Sequence, residues 1–178
     1  MKLMFVVASV AAALSCAPSL AQAQDAAKET GAYVNLGYAR ASQGGIHLDA
    51  AALRLGYRIN KYLGVEGEGA FGIGGDDVRV GTASAHVKLS HELAAYAVGF
   101  APVSENADLF ARIGYGTTKI KASAGVGSAS GSSDSVNFGV GGQYHFDGLN
   151  GIRVEYTRFE YTGSGHANLF GVSYSRKF

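Results

Sequence analysis

The sequence predicts an all-β protein, an eight-stranded antiparallel up-and-down β-barrel that crosses a membrane with its strands. Three observations carry this. Apolar residues alternate with small or polar ones in eight successive segments, and a period of two is that of side chains along a strand. The connections between segments alternate between short and longer. Beyond residue 23 no apolar run approaches the ~18 residues of a membrane-spanning helix, although only 16% of residues are charged, against about 25% in soluble domains. A membrane location therefore demands a closed sheet, because unpaired backbone groups are not tolerated in hydrocarbon.

The chain begins with Lys2, an apolar run over 3–14 and Ala21-Gln22-Ala23. A positive start, a short apolar core and a small-x-small site describe a secretory signal peptide. Cleavage is expected after Ala23, which makes 1–23 the signal peptide, 24–30 a short periplasmic lead-in and 31–178 the barrel domain. Cys16, the only cysteine, falls inside the signal. A lipoprotein reading of Leu14-Ser15-Cys16 is opposed by Ala13, which stands where a bulky aliphatic is expected. The mature chain is expected to have no disulfide. A net charge of +1 supplies no bulk field for an anionic partner, so no nucleic acid is expected.

The first strand, 31–41, sets Ala32, Val34, Leu36 and Tyr38 against Tyr33, Asn35, Gly37 and Ala39, and 42–48 reads as a Gly-containing loop. The stretch 51–73, AALRLGYRINKYLGVEGEGAFGI, reads as a hairpin. Leu53, Leu55, Tyr57, Ile59, Leu63, Val65, Phe71 and Ile73 share its apolar face, and Arg54, Arg58, Glu66 and Glu68 the other. Pairing Ile59 with Leu63 sets Arg54 opposite Glu68 and Glu66 diagonal to both arginines, so opposite charges meet across the hairpin. The i,i+4 spacing of Arg54 and Arg58 also suits a helix, but five glycines between 56 and 72 would cost about 1 kcal/mol each there.

Residues 74–83 read as a polar loop carrying Asp76 and Asp77. In the strand over 84–100, Ala94, Tyr96, Val98 and Phe100 set one apolar parity while Val87 and Leu89 lie on the other, so a bulge is expected near 90–92. After a turn at 102–106, Leu109, Ala111, Ile113 and Tyr115 are expected outward, with Phe110, Arg112, Gly114 and Gly116 opposite. The Gly/Ser/Ala-rich 123–135 reads as a mobile loop. Val136, Phe138, Val140, Tyr144 and Phe146 then alternate with Asn137, Gly139, Gly141, Gln143 and His145. A tight turn at 147–150 leads to Ile152, Val154 and Tyr156, which alternate with Arg153, Glu155 and Thr157. A short loop at 162–165 precedes the last strand, with Phe170, Val172, Tyr174 and Phe178 on one face. Short turns at 60–62, 102–106 and 147–150 are expected in the periplasm with both chain ends, and the longer connections outside.

Composition decides which face is inside. An arginine facing lipid at mid-depth costs about 2–4 kcal/mol. Inverting the barrel would expose several at once, comparable to a whole stability of ~5–15 kcal/mol. Arg54, Arg58, Glu66, Glu68, Arg112, Arg153 and Glu155 are therefore expected in the lumen as a structural ionic network. An eight-stranded interior is just wide enough for side chains to fill, so these residues are expected to plug it. Outward aromatics are expected in two bands. Tyr57, Phe100, Tyr144, Phe146 and Phe178 form the band at the short-turn end, and Tyr38, Phe71, Tyr115, Tyr156 and Phe170 the one at the long-loop end.

Three stretches, LGVEGEGAFG (63–72), YAVGFAPVSENADLFARIGYG (96–116) and SYSRKF (173–178), resemble the small eight-stranded outer-membrane barrels of Gram-negative bacteria, the OmpA/OmpX-like, porin-family barrel domain. The resemblance covers the whole mature chain. It implies a cell outer-membrane location among lipopolysaccharide and phospholipid. It also implies recognition of the last strand by the outer-membrane assembly machinery through Phe170, Val172, Tyr174 and Phe178, with Arg176 interrupting the apolar alternation. Fold does not carry function.

The leading functional expectation is a non-catalytic protein with a structural, envelope or surface-contact role. The small-residue loops name no ligand. A narrow small-solute channel past the lumen charges is the alternative. An enzyme acting on lipid A ranks lower: His145, Glu155 and Ser175 are candidates for one lumen level, and Ser164 and His166 sit close in a loop, but no nucleophile–base–orienter set is evident. Asp76-Asp77 falls short of the ~6–8 oxygen ligands of calcium, the histidines lack zinc spacing, and no phosphate-cradling glycine loop follows a strand and opens a helix. No cofactor is expected. A soluble secreted barrel with its apolar face inward would carry an outer face rich in Lys, Glu and Thr; here that face is rich in Gly and Ala.

Overall fold

The computed structural model describes residues 30–178 apart from 81–82, 125–126 and 164. The expected signal peptide and all but the last residue of the lead-in lie outside the described residues. Eight strands follow one another: β1 (Gly31–Gln43), β2 (Ile46–Arg58), β3 (Leu63–Val80), β4 (Ala83–Pro102), β5 (Ala107–Ala124), β6 (Gly127–His145), β7 (Asn150–Tyr161) and β8 (His166–Lys177). Each pairs antiparallel with its sequence neighbours, and β8 returns to β1 to close the barrel. The closing seam ends where the Phe178 N–H donates to the Ala32 carbonyl at 2.9 Å.

The charged hairpin has the predicted register. Arg54 faces Glu68 across β2 and β3, and the Ile59 N–H reaches the Leu63 carbonyl at 2.9 Å. The turn is held by Asn60, whose Oδ1 accepts the Tyr62 and Leu63 N–H groups at 2.8 and 2.9 Å, the local bonding that favours Asn in turns. The bulge predicted near 90–92 is present as a register shift between Leu89 and His91. It brings Leu89 and Glu92, three residues apart, onto the same inward face.

Three connections read as loops are mostly strand. In 42–48 only Gly44 and Gly45 leave the ladder, with φ of +57° and +87°. A two-residue hairpin of this kind needs positive φ at both central positions, which glycine adopts without strain. The polar stretch 74–83 and the Gly/Ser/Ala-rich 123–135 pair as the ends of β3, β4, β5 and β6. Backbone groups complete a ladder whatever the side chains, so composition alone misled. These four strands have 18, 20, 18 and 19 residues, against 13, 13, 12 and 12 for β1, β2, β7 and β8. A strand tilted across a bilayer needs about 9–11 residues. The long four therefore rise as a sheet beyond the short ones, at the end opposite the chain termini.

A second correction concerns β4. Tyr96, Val98 and Phe100 point into the barrel and are 4%, 1% and 5% exposed, while Leu93, Ala95 and Ala97 face outward. Phe100 thus leaves the outward aromatic band. The rings fit because the facing strand supplies glycine: a Cβ at Gly114 would lie 2.4 Å from Tyr96 Cδ1. Both parities of β4 are apolar, so its period could not choose a side.

The interior is layered. Tyr33, Tyr96, Val98, Phe100 and Phe110 form an aromatic cluster. Toward the far end, Ala39, Phe159, Ala167 and Leu169 form a second cluster, and Ala50, Ala52, Ala70 and Leu89 a third.

Candidate functional site: the ion-paired barrel interior

Alternation along β2, β3, β5 and β7 turns Arg54, Arg58, Glu66, Glu68, Arg112, Arg153 and Glu155 inward, and all seven are buried. Six of them form one cluster. Arg54 donates Nε to Glu68 and Nη2 to Glu155. Arg112 donates Nη1 to Glu68 Oε2 at 2.8 Å, and Nη2 to Glu155 Oε1 at 3.2 Å and Thr157 Oγ1 at 2.8 Å. Arg153 grips Glu66 with both terminal nitrogens, at 2.6 and 3.2 Å. The Tyr33 hydroxyl donates to the same carboxylate at 2.8 Å. Three guanidinium groups thus face three carboxylates. Buried ions retain their charge only when the desolvation penalty is offset by close pairing and full hydrogen bonding.

The cations are also stacked. The guanidinium carbons of Arg112 and Arg153 lie 4.2 Å from the Tyr96 centroid and 3.8 Å from the Phe110 centroid, a favourable placement over an aromatic face. Glycines opposite make room. A Cβ at Gly56 would lie 2.2 Å from Tyr33 Cζ, and one at Gly171 3.1 Å from Glu155 Oε1.

Arg58 stands apart from the six. It pairs with Asp108 through two bonds of 3.0 Å and lies 4.2 Å from the Phe100 centroid. Sequence reasoning missed Asp108, although it shares the parity of Phe110 and Arg112. It also missed Glu92, buried in the lumen, because Glu92 shares the parity of the β4 rings that were expected to face lipid.

The three candidates for lipid A chemistry do not converge. His145 and Ser175 both register with Gly151, whereas Glu155 registers with Gly141 and Gly171. Glu155 is four residues further along β7, about 13 Å at the strand rise, and its oxygens are taken by arginines. Ser164 lies outside the described residues, and His166 is exposed. Asp76 Oδ2 accepts the His47 backbone N–H at 3.0 Å. Among the described residues no group of three or more His, Cys, Asp or Glu side chains could hold a metal ion.

Outside, the barrel is apolar. Leu55, Phe71, Ile113, Val154 and Phe170 are among its exposed large side chains. Tyr57, Tyr144, Phe146 and Phe178 are exposed toward the end with the termini, and Tyr38, Phe71, Tyr115 and Phe170 toward the other. Tyr156 is half-buried, its ring 5.0 Å from that of Phe170.

This inversion of the soluble pattern agrees with comparison to known proteins. The family described as outer membrane protein beta-barrel domain matches residues 8–178. The chain belongs to this family. Its place is the cell outer membrane, and the exposed apolar belt of this outer-membrane barrel is the surface that meets lipid. Solved structures agree in fold. Ail, the attachment invasion locus protein of Yersinia pestis, crystallised with the heparin analogue sucrose octasulfate, superposes with a TM-score of 0.62 at 21% identity, covering 84% of this chain and 99% of Ail. OprG of Pseudomonas aeruginosa gives 0.58 at 11% identity, covering 84% and 97%. Neisserial surface protein A gives 0.55 at 15% identity, covering 83% and 96%. Among curated proteins no sequence matches.

Proposed function

We propose that this protein is a non-catalytic, closed outer-membrane barrel with a structural or surface-contact role, its lumen sealed by the Arg/Glu cluster. The observation that carries the reading is the single buried layer in which Arg54, Arg112 and Arg153 meet Glu66, Glu68 and Glu155 across the lumen. An ion passing through would have to separate charges that satisfy one another in a low-dielectric interior. The tall sheet supports surface contact: residues 127–133 of β6 pair with β5 but not with β7, and an open strand edge suits addition of a partner strand.

Lipopolysaccharide and phospholipid cover the apolar belt. Phe170, Val172, Tyr174 and Phe178, all outward, are the face of β8 that the assembly machinery would read. Signal cleavage falls after Ala23, which N-terminal mass analysis of the exported protein checks. Planar-bilayer recording tests the closed lumen: the purified barrel gives no single-channel steps. Stable steps that disappear in Glu68→Gln would make it a small-solute channel. A new lipid A mass on overexpression would overturn the non-catalytic reading.

A further inference from the structure

Beyond the ionic layer, at the end opposite the termini, the lumen opens into a cavity of about 80 Å³ walled by Leu48, Leu89, Ile120, Phe159, Tyr161 and Leu169. Glu92 also lines it. This side chain is 4% exposed, and its Oε1 has no hydrogen-bond partner among the described residues. Among the described residues, the buried charges of the lumen are four arginines (54, 58, 112 and 153) and five carboxyls (Glu66, Glu68, Glu92, Asp108 and Glu155). The four guanidinium groups pair with the other four carboxyls. Glu92 is the surplus.

A buried carboxylate without a cation carries a large desolvation penalty, which a proton relieves when the barrel is empty and a ligand that brings a positive donor relieves when it is filled. Thr118, which faces Glu92 across the β4–β5 ladder, lines the cavity as well, and its buried Oγ1 likewise has no hydrogen-bond partner among the described residues; most of the remaining wall is hydrocarbon. Ordered water, which needs two to four polar partners, can sit only beside these two groups and leaves the apolar remainder unfilled, whereas a molecule with one charged end and an apolar body matches both parts. At about 10–15 Å³ for each water-sized position, the space suits a ligand of roughly five to eight non-hydrogen atoms. The near-parallel rings of Phe159 and Tyr161, with centroids 6.3 Å apart, add aromatic wall to the hydrocarbon.

The geometry points to a binding site for a free small primary amine with a short apolar body, its ammonium donating to Glu92 Oε1 and its hydrocarbon lying against Leu89, Phe159 and Leu169. Anions of the same length are excluded by the carboxyl. Entry is from the rim at Ser42, Gln43 and Ile46, which border the cavity.

The test uses the mature chain refolded in phosphatidylcholine nanodiscs, with amide NMR shifts read during titration with n-hexylamine, n-hexanol and n-hexanoate. Hexylamine is expected to give saturable shifts at Glu92, Thr118 and Leu169, hexanol at least tenfold weaker ones, and hexanoate none. Glu92→Gln is expected to keep the heat-modifiable gel shift of a folded barrel and to lose at least tenfold in hexylamine affinity. Ala50→Leu, which fills the cavity and leaves the carboxyl, is expected to lose binding as well. Non-saturable shifts, equal affinity in Glu92→Gln, or hexanol binding as tightly as the amine would each overturn the proposal. Affinity that vanishes when phosphatidylethanolamine replaces phosphatidylcholine would assign the site to a lipid headgroup and overturn the free-solute reading.

Discussion

Arg112 and Gly139 face each other across the β5–β6 ladder, and a Cβ at 139 would stand 2.8 Å from both Cγ and Nε of the arginine. The guanidinium reaches three carboxylates only because its stem lies across a residue without a side chain. Gly139→Ala is therefore expected to destabilise the barrel by about 1–3 kcal/mol, the usual range for overpacking a filled interior. Gly67→Ala, where a Cβ meets nothing within 4 Å, should stay within about 0.5 kcal/mol of wild type. Urea unfolding in lipid vesicles compares the two.

Glu68 joins two arginines, Arg54 and Arg112. Glu68→Gln leaves both short of a negative partner in a buried site, and breaking such a pair from one side costs about 3–5 kcal/mol. The same unfolding measurement checks it. A change under about 1 kcal/mol would mean the cluster is not stabilised by pairing.

Leu55 is 60% exposed on the lipid-facing side of β2, directly after Arg54 in the chain. Leu55→Arg is expected to lose about 2–4 kcal/mol, the penalty for arginine at mid-bilayer depth, although a cation one residue earlier is at home. The measurement is the fraction folded in vesicles against urea. An unchanged midpoint would place Leu55 away from the hydrocarbon.

The turn between β6 and β7 responds to acid in a defined direction. Asp147 Oδ1 accepts the N–H groups of Leu149 and Asn150 at 2.9 and 2.5 Å, and these bonds, with that from the Asn150 side chain, hold the carboxyl below its ordinary value of 3.8. With the folded value lowered, the contribution is fully present above the ordinary carboxylate range and disappears as pH falls through the lowered value. Protection of the Leu149 and Asn150 amides, the exchange rate relative to the intrinsic rate at the same pH, should therefore hold down to about pH 4 and fall only in stronger acid. Asp147→Ala should lack that protection at every pH.

The hairpin around residue 60 was legible because two signals coincide there: strict alternation, and charges that meet in one register. At β4 they did not coincide. With Tyr96, Val98 and Phe100 on one parity and Leu93, Ala95 and Ala97 on the other, nothing in the pattern chose the inner side, and only the opposing glycines of the neighbouring strands decide it. Glu92 went unread for the same reason. The lumen side of Arg58 was legible, but its partner was not, since Asp108 lies 50 residues away and closeness across a closed sheet depends on the registers of every strand between. Gly44-Gly45 is a hairpin signal in its own right, obscured by the polar residues around it. Residues 127–134 could not be read as strand, because Gly, Ser and Ala supply backbone pairing without any side-chain rhythm.

The seam between the last strand and the first has a consequence for biogenesis. Until Phe178 docks beside Ala32, the molecule is a curled ribbon with two raw margins, each lined with amide groups that hydrocarbon does not accommodate. Docking of β8 against β1 seals both margins at once, and it is the backbone of Phe178, its ring turned outward, that fastens the join.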